Sequence, residues 1–144
     1  MSTIYSAPPF VRSVFDQMMQ TAVYMLQDAP NSRLTQVIVL LTSKGKEYSA
    51  IIEDVLSEEK IAEKALIKEM QKDNDTEIRY IMAVWKSDGC VDIPSYDFRK
   101  MLCRMNTENK NAAIFLMGEA GYGVKSLGAT MPNLDFLNEE DDTF

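Results

Sequence analysis

The chain of 144 residues contains no histidine. Histidine is the usual general base near neutral pH and the commonest metal ligand in proteins. Its absence excludes serine–histidine and cysteine–histidine nucleophile pairs. With only two cysteines, a zinc site would need carboxylate ligands as well, which is a poor match to the usual donor sets. We therefore expect no catalytic residues of these kinds, no metal site and no cofactor.

Cysteines and long apolar runs are also scarce. Cys90 and Cys103 lie in separate predicted elements, so we expect two free thiols in a reducing compartment. The first ten residues lack a basic region followed by an apolar run, so no signal peptide is predicted. No apolar stretch approaches the roughly 18 residues that span a membrane. These features predict a cytoplasmic protein that has no membrane partner.

The hydrophobic pattern predicts a helical N-terminal half with two or three helices. Apolar residues recur at helical spacing within residues 10–27, and residues 46–72 combine a similar stripe with interleaved charges. Residues 33–43 are ambiguous, because their apolar run fits a helical stripe and also a fully buried strand. We favour a helix for this segment, with Gly45 closing its C-terminal end.

From residue 78 onward the pattern is typical of short strands. The predicted elements are strands at 78–85, 90–93, 112–117 and 124–127, and one intervening helix at 96–105. The pair Asp88-Gly89 indicates a hairpin turn, and Ser95 is a suitable cap for the helix. The expected fold class is α+β, with a helical N-terminal half and a C-terminal antiparallel sheet of about four strands. We expect one globular domain at 1–132 and a flexible tail at 133–144.

The tail is an acidic segment that ends in phenylalanine. It carries five acidic and no basic residues, so the rest of the chain has a net charge of only −2 out of −7. Acidic tails are commonly disordered and solubilising, but an aromatic ring beside a terminal carboxylate suits a basic pocket on a partner protein. The residues expected to bind such a partner are Leu134, Phe136, Leu137, Glu139, Glu140, Asp141, Asp142 and Phe144.

In composition, this tail resembles the acidic, phenylalanine-ending tails of bacterial single-strand-DNA-binding proteins and of some ribonucleotide reductase small subunits. Such tails dock on partner proteins. The resemblance covers only the last residues and assigns the chain to no family. The main hypothesis from the sequence is therefore a non-enzymatic interaction or accessory protein that binds a partner protein, and homo-oligomers remain open.

The first alternative is a protein or enzyme that binds a nucleotide or a phosphorylated small molecule. It would use Lys44 and Lys46, which flank a glycine, or the glycine-containing loop Gly118–Gly123. The loop lacks the Walker sequence, and the residues after it are typical of a strand rather than of a helix that would bind phosphate. A hairpin turn is therefore the favoured interpretation of this loop.

The second alternative is a protein that associates with single-stranded nucleic acid. Some such proteins combine basic side chains with aromatic stacking surfaces, but the acidic chain makes a nucleic-acid partner the weaker hypothesis. Arg99, Lys100 and Arg104 on the predicted helix form the basic cluster of the C-terminal half. We expect this cluster to bind an anion or the acidic tail.

Overall fold

Six strands form one mixed sheet in the computed structural model, which describes residues 7–131. The elements are α1 (Arg12–Leu26), β1 (Gln36–Thr42), β2 (Glu47–Ile52), α2 (Ile61–Lys72), β3 (Ile78–Trp85), β4 (Val91–Asp92), α3 (Tyr96–Met105), β5 (Ala113–Gly118) and β6 (Gly121–Ser126). Short 3-10 helices follow at Thr107–Asn111 and Gly128–Thr130. The strand order is β2-β1-β3-β5-β6, and β4 pairs with β3.

The sheet is antiparallel except where β3 pairs with β5. These two strands are parallel, and the chain connects them through β4 and α3, because parallel neighbours need a crossover connection. Helix α1 packs on one face of the sheet, and α2 and α3 pack on the other. The prediction of an antiparallel sheet is therefore wrong for the central pair β3 and β5, because α3 lies between these strands in the sequence and forms a crossover connection.

The prediction of a helix at residues 33–43 is wrong, because this segment contains strand β1. All seven of its residues are buried. Ile38 and Leu40 pack in the cluster that contains α2 and α3, whereas Val37 and Val39 pack in the cluster with α1. A strand covered on both faces reads as a continuous apolar run, and such a run has no period that separates it from a helix.

The first part of the helix predicted at residues 46–72 is instead strand β2. Gly45, with φ of +85°, lets the chain turn between β1 and β2, and its N–H donates to the Thr42 carbonyl at 2.9 Å. Tyr48 and Ile52 face the core from β2. Their spacing of four residues satisfies both the helical and the strand period. The helix prediction holds only for α2.

Several elements of the sequence prediction are confirmed. α1 lies within the predicted residues 10–27, and β3 and α3 have the predicted bounds. The Ser95 hydroxyl accepts a hydrogen bond from the Phe98 amide at 3.2 Å, which caps α3. The mixed α and β class is correct, but the layout of a helical half followed by a sheet is wrong, because helices and strands alternate along the chain.

Two further predictions concern the acidic tail and membrane-spanning helices. The acidic tail, residues 133–144, lies outside the described residues, so its partner-binding residues remain a prediction. Within residues 7–131, none of the helices combines the length and apolar character needed to cross a membrane.

Candidate functional site

The first turns of α2 and α3 lie beside each other on one face of the sheet. Gln36 at the start of β1 pairs with Ile52 at the end of β2 and with Trp85 at the end of β3. The connections to α2 and α3 therefore leave the same end of the sheet. Lys60, immediately before α2, and Asp97, in the first turn of α3, approach to 4.0 Å between the ammonium nitrogen and a carboxylate oxygen.

Lys60 is a buried cation at this junction. Its side chain is only 9% exposed, and its backbone is left-handed with φ of +52°. The ammonium donates to the Val55 carbonyl at 2.8 Å and lies 4.0 Å from carboxylate oxygens of Glu63 and Asp97. A buried charge is tolerated when opposite charges and hydrogen bonds surround it. Lys60 thus supplies the positive charge between two carboxylates that come from different helices.

Glu63 is the buried acid of the same junction. It lies in the first turn of α2, where the helix dipole favours a negative charge. Its side chain is 4% exposed. Together with Pro94, Ser95 and Phe98 it borders a gap that is too small to hold a water molecule. Glu63 therefore lies between this tightly packed gap and the Lys60 ammonium.

A cleft of about 210 Å³ opens between the end of β2 and the start of α2, and we call it the α2 cleft. Its apolar wall is formed by Ile51, Ile52, Ile61 and Ala62, and its polar lining by Glu53, Asp54, Ser57, Lys60 and Glu63. Glu53 and Asp54 are exposed, whereas Lys60 and Glu63 are buried. The cleft thus joins an exposed acidic rim to a buried pair of opposite charges.

The structure places Lys44 and Lys46 far along the sheet from this cleft, in the turn between β1 and β2. The Lys44 ammonium donates to the Asn74 carbonyl at 2.7 Å, and the Lys46 ammonium donates to the Asp73 carboxylate at 2.9 Å. The hydrogen bond from Lys46 holds the pKa of Asp73 below its ordinary value. The same hydrogen bond raises the pKa of Lys46. Both lysines serve to join the turn to the residues after α2.

The loop Gly118–Gly123 is the turn of the hairpin formed by β5 and β6, as the sequence predicted. Gly118 pairs with Gly121, whose φ of +113° favours glycine. The next residues continue β6, so the loop does not lead into the N-terminus of a helix that would bind phosphate.

The predicted basic cluster is divided by the structure. Arg99 is buried and donates to the Pro94 carbonyl at 3.0 Å and to the Thr130 carbonyl at 2.7 Å. Burial lowers the pKa of Arg99. Lys100 and Arg104 are half-buried and line a cavity between α2 and α3. Arg99 therefore joins α3 to the C-terminal segment, and the other two residues face the cavity.

Comparison with solved structures reveals a shared fold. A cytidine deaminase from Mycobacterium leprae superposes with a TM-score of 0.60 and 16% identity, covering 83% of this chain and 98% of that one. The cytidine deaminase from Mycobacterium tuberculosis gives 0.60 and 16%, covering 84% and 96%, and that from Bacillus anthracis gives 0.62 and 14%, covering 90% and 95%. No protein-family model matches the chain, and no curated protein matches its sequence.

This similarity contradicts the hypothesis of a non-enzymatic interaction or accessory protein. The chain has the fold of cytidine deaminases, which act on a nucleoside as their name states. The finding supports the alternative, a protein or enzyme that binds a nucleotide or a phosphorylated small molecule, better than the main hypothesis. The residues chosen for that alternative, Lys44, Lys46 and Gly118–Gly123, do not line the α2 cleft.

Zinc-dependent nucleobase deaminases carry two motifs, H-x-E and P-C-x-x-C, whose histidine and cysteines hold the metal and whose glutamate transfers protons. Here α2 begins with Ile61-Ala62-Glu63, and Pro94-Ser95-Tyr96-Asp97-Phe98 leads into α3. The glutamate and the proline are present. Isoleucine, serine and phenylalanine stand at the three ligand positions, and two of these side chains have no donor atom.

The surroundings of these positions do not fit zinc either. Phe98 is 1% exposed and packs in the core cluster that α2 and α3 form with the sheet. The gap that it borders has no room for a water molecule. Within residues 7–131, no group of three or more Cys, Asp or Glu side chains is arranged to hold a metal ion. We conclude that the residues of this site do not fit the zinc ion of the deaminases.

Lys60 and Glu63 were not predicted from the sequence as site residues, because alternating charges on a helix usually mark a solvated face. A signal was present: Ala62-Glu63 at a helix start, followed later by a proline and a cap at the next helix. Without histidine and cysteine at the ligand positions, the two motifs lose the residues by which they are usually recognised.

Proposed function

We propose that this protein binds a nucleoside in the α2 cleft without a metal ion. The observation that carries the proposal is the buried pair of Lys60 and Glu63 on the wall of this cleft. The fold shared with cytidine deaminases supports a nucleoside as the ligand. A volume of about 210 Å³ suits the base and part of the sugar.

The buried pair suits the edge of a cytosine base. That edge presents an amino donor beside a ring nitrogen and a carbonyl, which are acceptors. A carboxylate such as Glu63 accepts from the amino group, and an ammonium such as Lys60 donates to an acceptor. The apolar side chains of Ile51 and Ile52 offer contact to the base, in keeping with pockets that are mostly apolar with few polar groups.

The exposed rim suits the sugar. Glu53 and Asp54 place two carboxylates at the mouth of the cleft. Carboxylates accept hydrogen bonds from ribose hydroxyls, as in dinucleotide-binding folds. The Oδ1 atom of Asp54 already accepts from the Leu56 amide at 2.9 Å, so Glu53 is the better candidate for a ligand contact.

The proposal concerns binding and does not extend to zinc-dependent deamination. That chemistry needs metal ligands at the positions of Ile61, Ser95 and Phe98, and these side chains do not fit the metal. In the proposed complex Glu63 contacts the nucleobase and contributes to its recognition.

The test is calorimetric titration of the full chain with cytidine, uridine and adenosine. We expect saturable binding of cytidine and a loss of about tenfold in affinity for Glu63→Gln, which corresponds to about 1.4 kcal/mol. Glu53→Gln changes an exposed rim residue and is expected to weaken binding by several-fold without affecting folding. Glu69→Gln, on the exposed face of α2, is the matched control and should bind cytidine like the original chain.

Absence of saturable binding by all three nucleosides would contradict the proposal. Binding that is unchanged in both Glu63→Gln and Glu53→Gln would place the ligand elsewhere on the protein. Circular dichroism of each variant should accompany the titrations, because Glu63 is buried and its substitution must leave the fold intact.

A further inference from the structure

A buried hydroxyl lies behind the rim of the α2 cleft. Thr35, immediately before β1, is fully buried, and its hydroxyl donates to the Glu53 carbonyl at 2.7 Å. Glu53 is the first residue after β2, and its exposed side chain lines the cleft. Thr35 thus contacts the backbone of the residue that we assign to the sugar, although Thr35 itself does not line the cleft.

This hydrogen bond forms where the pairing of β1 with β2 ends. The last pair in the register lies one position inside Thr35 and Glu53. The Thr35 backbone is engaged elsewhere, because its N–H donates to the Ser32 carbonyl at 3.3 Å and its carbonyl accepts from the Lys86 amide at 3.0 Å. The hydroxyl therefore supplies the Glu53 carbonyl with a hydrogen bond that the Thr35 N–H does not provide.

A second contact holds the same segment two residues further along. The Val55 amide donates to the Leu34 carbonyl at 2.9 Å, and the Val55 carbonyl accepts from the Lys60 ammonium at 2.8 Å. The backbone of residues 53–55 is therefore tied at two points to the residues before β1, and at one point to the buried cation of the cleft. Supporting hydrogen bonds of this kind fix the geometry of a binding residue.

We propose that Thr35 is a positioning residue for nucleoside binding, which holds Glu53 where its carboxylate accepts hydrogen bonds from the ribose hydroxyls. This inference rests on the proposed function, since it assigns the sugar to the rim of the α2 cleft. A carboxylate that is held in place binds more tightly than a mobile one, because less conformational freedom is lost on binding. Loss of the Thr35 hydroxyl should therefore weaken the contact with the sugar and leave the contacts with the base unchanged.

The experiment measures the preference for a sugar that carries hydroxyls. Calorimetry on the full chain compares cytidine with 2′,3′-dideoxycytidine, which lacks both hydroxyls of the sugar ring. We expect cytidine to bind about fivefold more tightly, because the dideoxy ligand loses hydrogen bonds to a charged group.

Thr35→Val keeps the shape of the side chain and removes the donor. It should reduce the preference for cytidine to less than about twofold and leave the affinity for dideoxycytidine unchanged. Thr35→Ser retains the hydroxyl and should retain the preference.

The matched control is Thr42→Val, at the other end of β1. Thr42 is 2% exposed, and its hydroxyl donates to the Asp75 carboxylate at 3.0 Å, so this variant also loses a buried hydrogen bond. Because Thr42 does not contact the rim of the cleft, Thr42→Val should keep the preference for cytidine.

Two results would overturn the positioning role while the nucleoside proposal stands. One is an unchanged preference for cytidine in Thr35→Val, and the other is equal weakening of both ligands, which would show a general effect on the cleft. Equal affinities of the original chain for the two ligands would mean that the sugar hydroxyls are not bound, and the role of Thr35 would again be wrong. If neither ligand binds the original chain saturably, the nucleoside proposal is wrong and this inference falls with it.

Discussion

The ammonium nitrogen of Lys60 lies 4.0 Å from a carboxylate oxygen of Glu63, and both side chains are more than nine-tenths buried. Each charge would be costly to bury alone, since an isolated ion loses its hydration in the protein interior. The same ammonium also approaches Asp97 at the start of α3. Lys60 therefore links the first turns of the two helices through Asp97, and Lys60 and Glu63 together line the α2 cleft.

Breaking this pair on one side should cost more than removing both charges. We expect Lys60→Met to destabilise the protein by about 2–4 kcal/mol, because Glu63 is left as an uncompensated buried charge. Glu63→Gln should cost less, because Asp97 still lies 4.0 Å from the Lys60 ammonium. The variant Lys60→Met/Glu63→Gln should be more stable than the sum of the two single effects predicts. Urea denaturation of the four proteins provides the measurement.

Lys68→Met is the control for this cycle, since Lys68 is exposed on α2. It is expected to change the free energy of unfolding by less than about 0.5 kcal/mol. Strict additivity of Lys60→Met and Glu63→Gln would show that the two charges do not interact, and the account of the junction would then be wrong.

Placing zinc ligands at the three deaminase positions should create a zinc site. The variant Ile61→His/Ser95→Cys/Phe98→Cys supplies one histidine and two cysteines at the deaminase positions. Loss of the Phe98 side chain should destabilise it by about 3–5 kcal/mol. Zinc should then raise its melting temperature, because the metal binds the folded state, whereas zinc should have no such effect on the original chain.

Elemental analysis checks the same point, and Ile61→His/Ser95→Ala/Phe98→Ala serves as the control with a similar cavity and one ligand. Stoichiometric zinc in the original chain would refute our conclusion on the metal. A histidine and two cysteines that gain no zinc would show that the motifs do not map onto α2 and α3.

The fold was predictable where local signals and tertiary packing agree. Helix α3 has a serine cap, an acidic first turn and an apolar stripe, and its bounds match the prediction. Strand β1 was mispredicted because its neighbours cover both of its faces, which the sequence does not reveal without the topology. β2 was merged with α2 because Tyr48 and Ile52 fit either period.

The site was less predictable, because it depends on contacts distant in sequence. Lys60 and Asp97 are 37 positions apart and meet only because β2 and β3 end at the same end of the sheet. Lys60 also adopts a left-handed backbone, which the sequence does not indicate for a lysine. In contrast, the proximity of Lys100 and Arg104 follows from the sequence alone, since they lie four positions apart on one helix.

The contact of Lys46 with Asp73 should give stability a specific dependence on pH. The pKa of Asp73 is lowered from its ordinary 3.8, mainly by the hydrogen bond from Lys46. A lowered pKa means that the contact contributes fully above the unfolded pKa and is lost as pH falls through the folded pKa. Lys46 has a pKa raised from 10.5, so its contribution is present below that value and is lost as pH rises further.

We therefore expect Asp73→Asn to lower the melting temperature by a constant amount between about pH 5 and pH 9. The difference from the original chain should shrink below about pH 4 and above about pH 10.5. Asp28→Asn, at an exposed position after α1, is the control. A difference that is the same at pH 3 and pH 7 would contradict the role of this contact.

The chain up to Pro132 should fold without the tail. Met131 is buried, and the Thr130 carbonyl accepts a hydrogen bond from Arg99 at 2.7 Å. A chain ending at Pro132 keeps both and is expected to melt within a few degrees of the full chain. A chain ending at Leu127 loses both contacts and should melt about 5–10 °C lower. Equal losses in the two shortened chains would mean that the tail contributes to the core.

The acidic tail should bind cations on α3. The tail carries five negative charges, and Lys100 and Arg104 line the cavity between α2 and α3. We expect the tail to bind these residues weakly, since exposed ion pairs contribute only about 0–1 kcal/mol each and are screened by salt. Removal of the tail in the chain ending at Pro132 should accordingly change the surroundings of α3 at low salt. NMR chemical shifts of residues 96–105 provide the measurement, because they should differ between the two chains at low salt and converge at several hundred millimolar salt. Identical shifts at low salt would show that the tail does not bind α3.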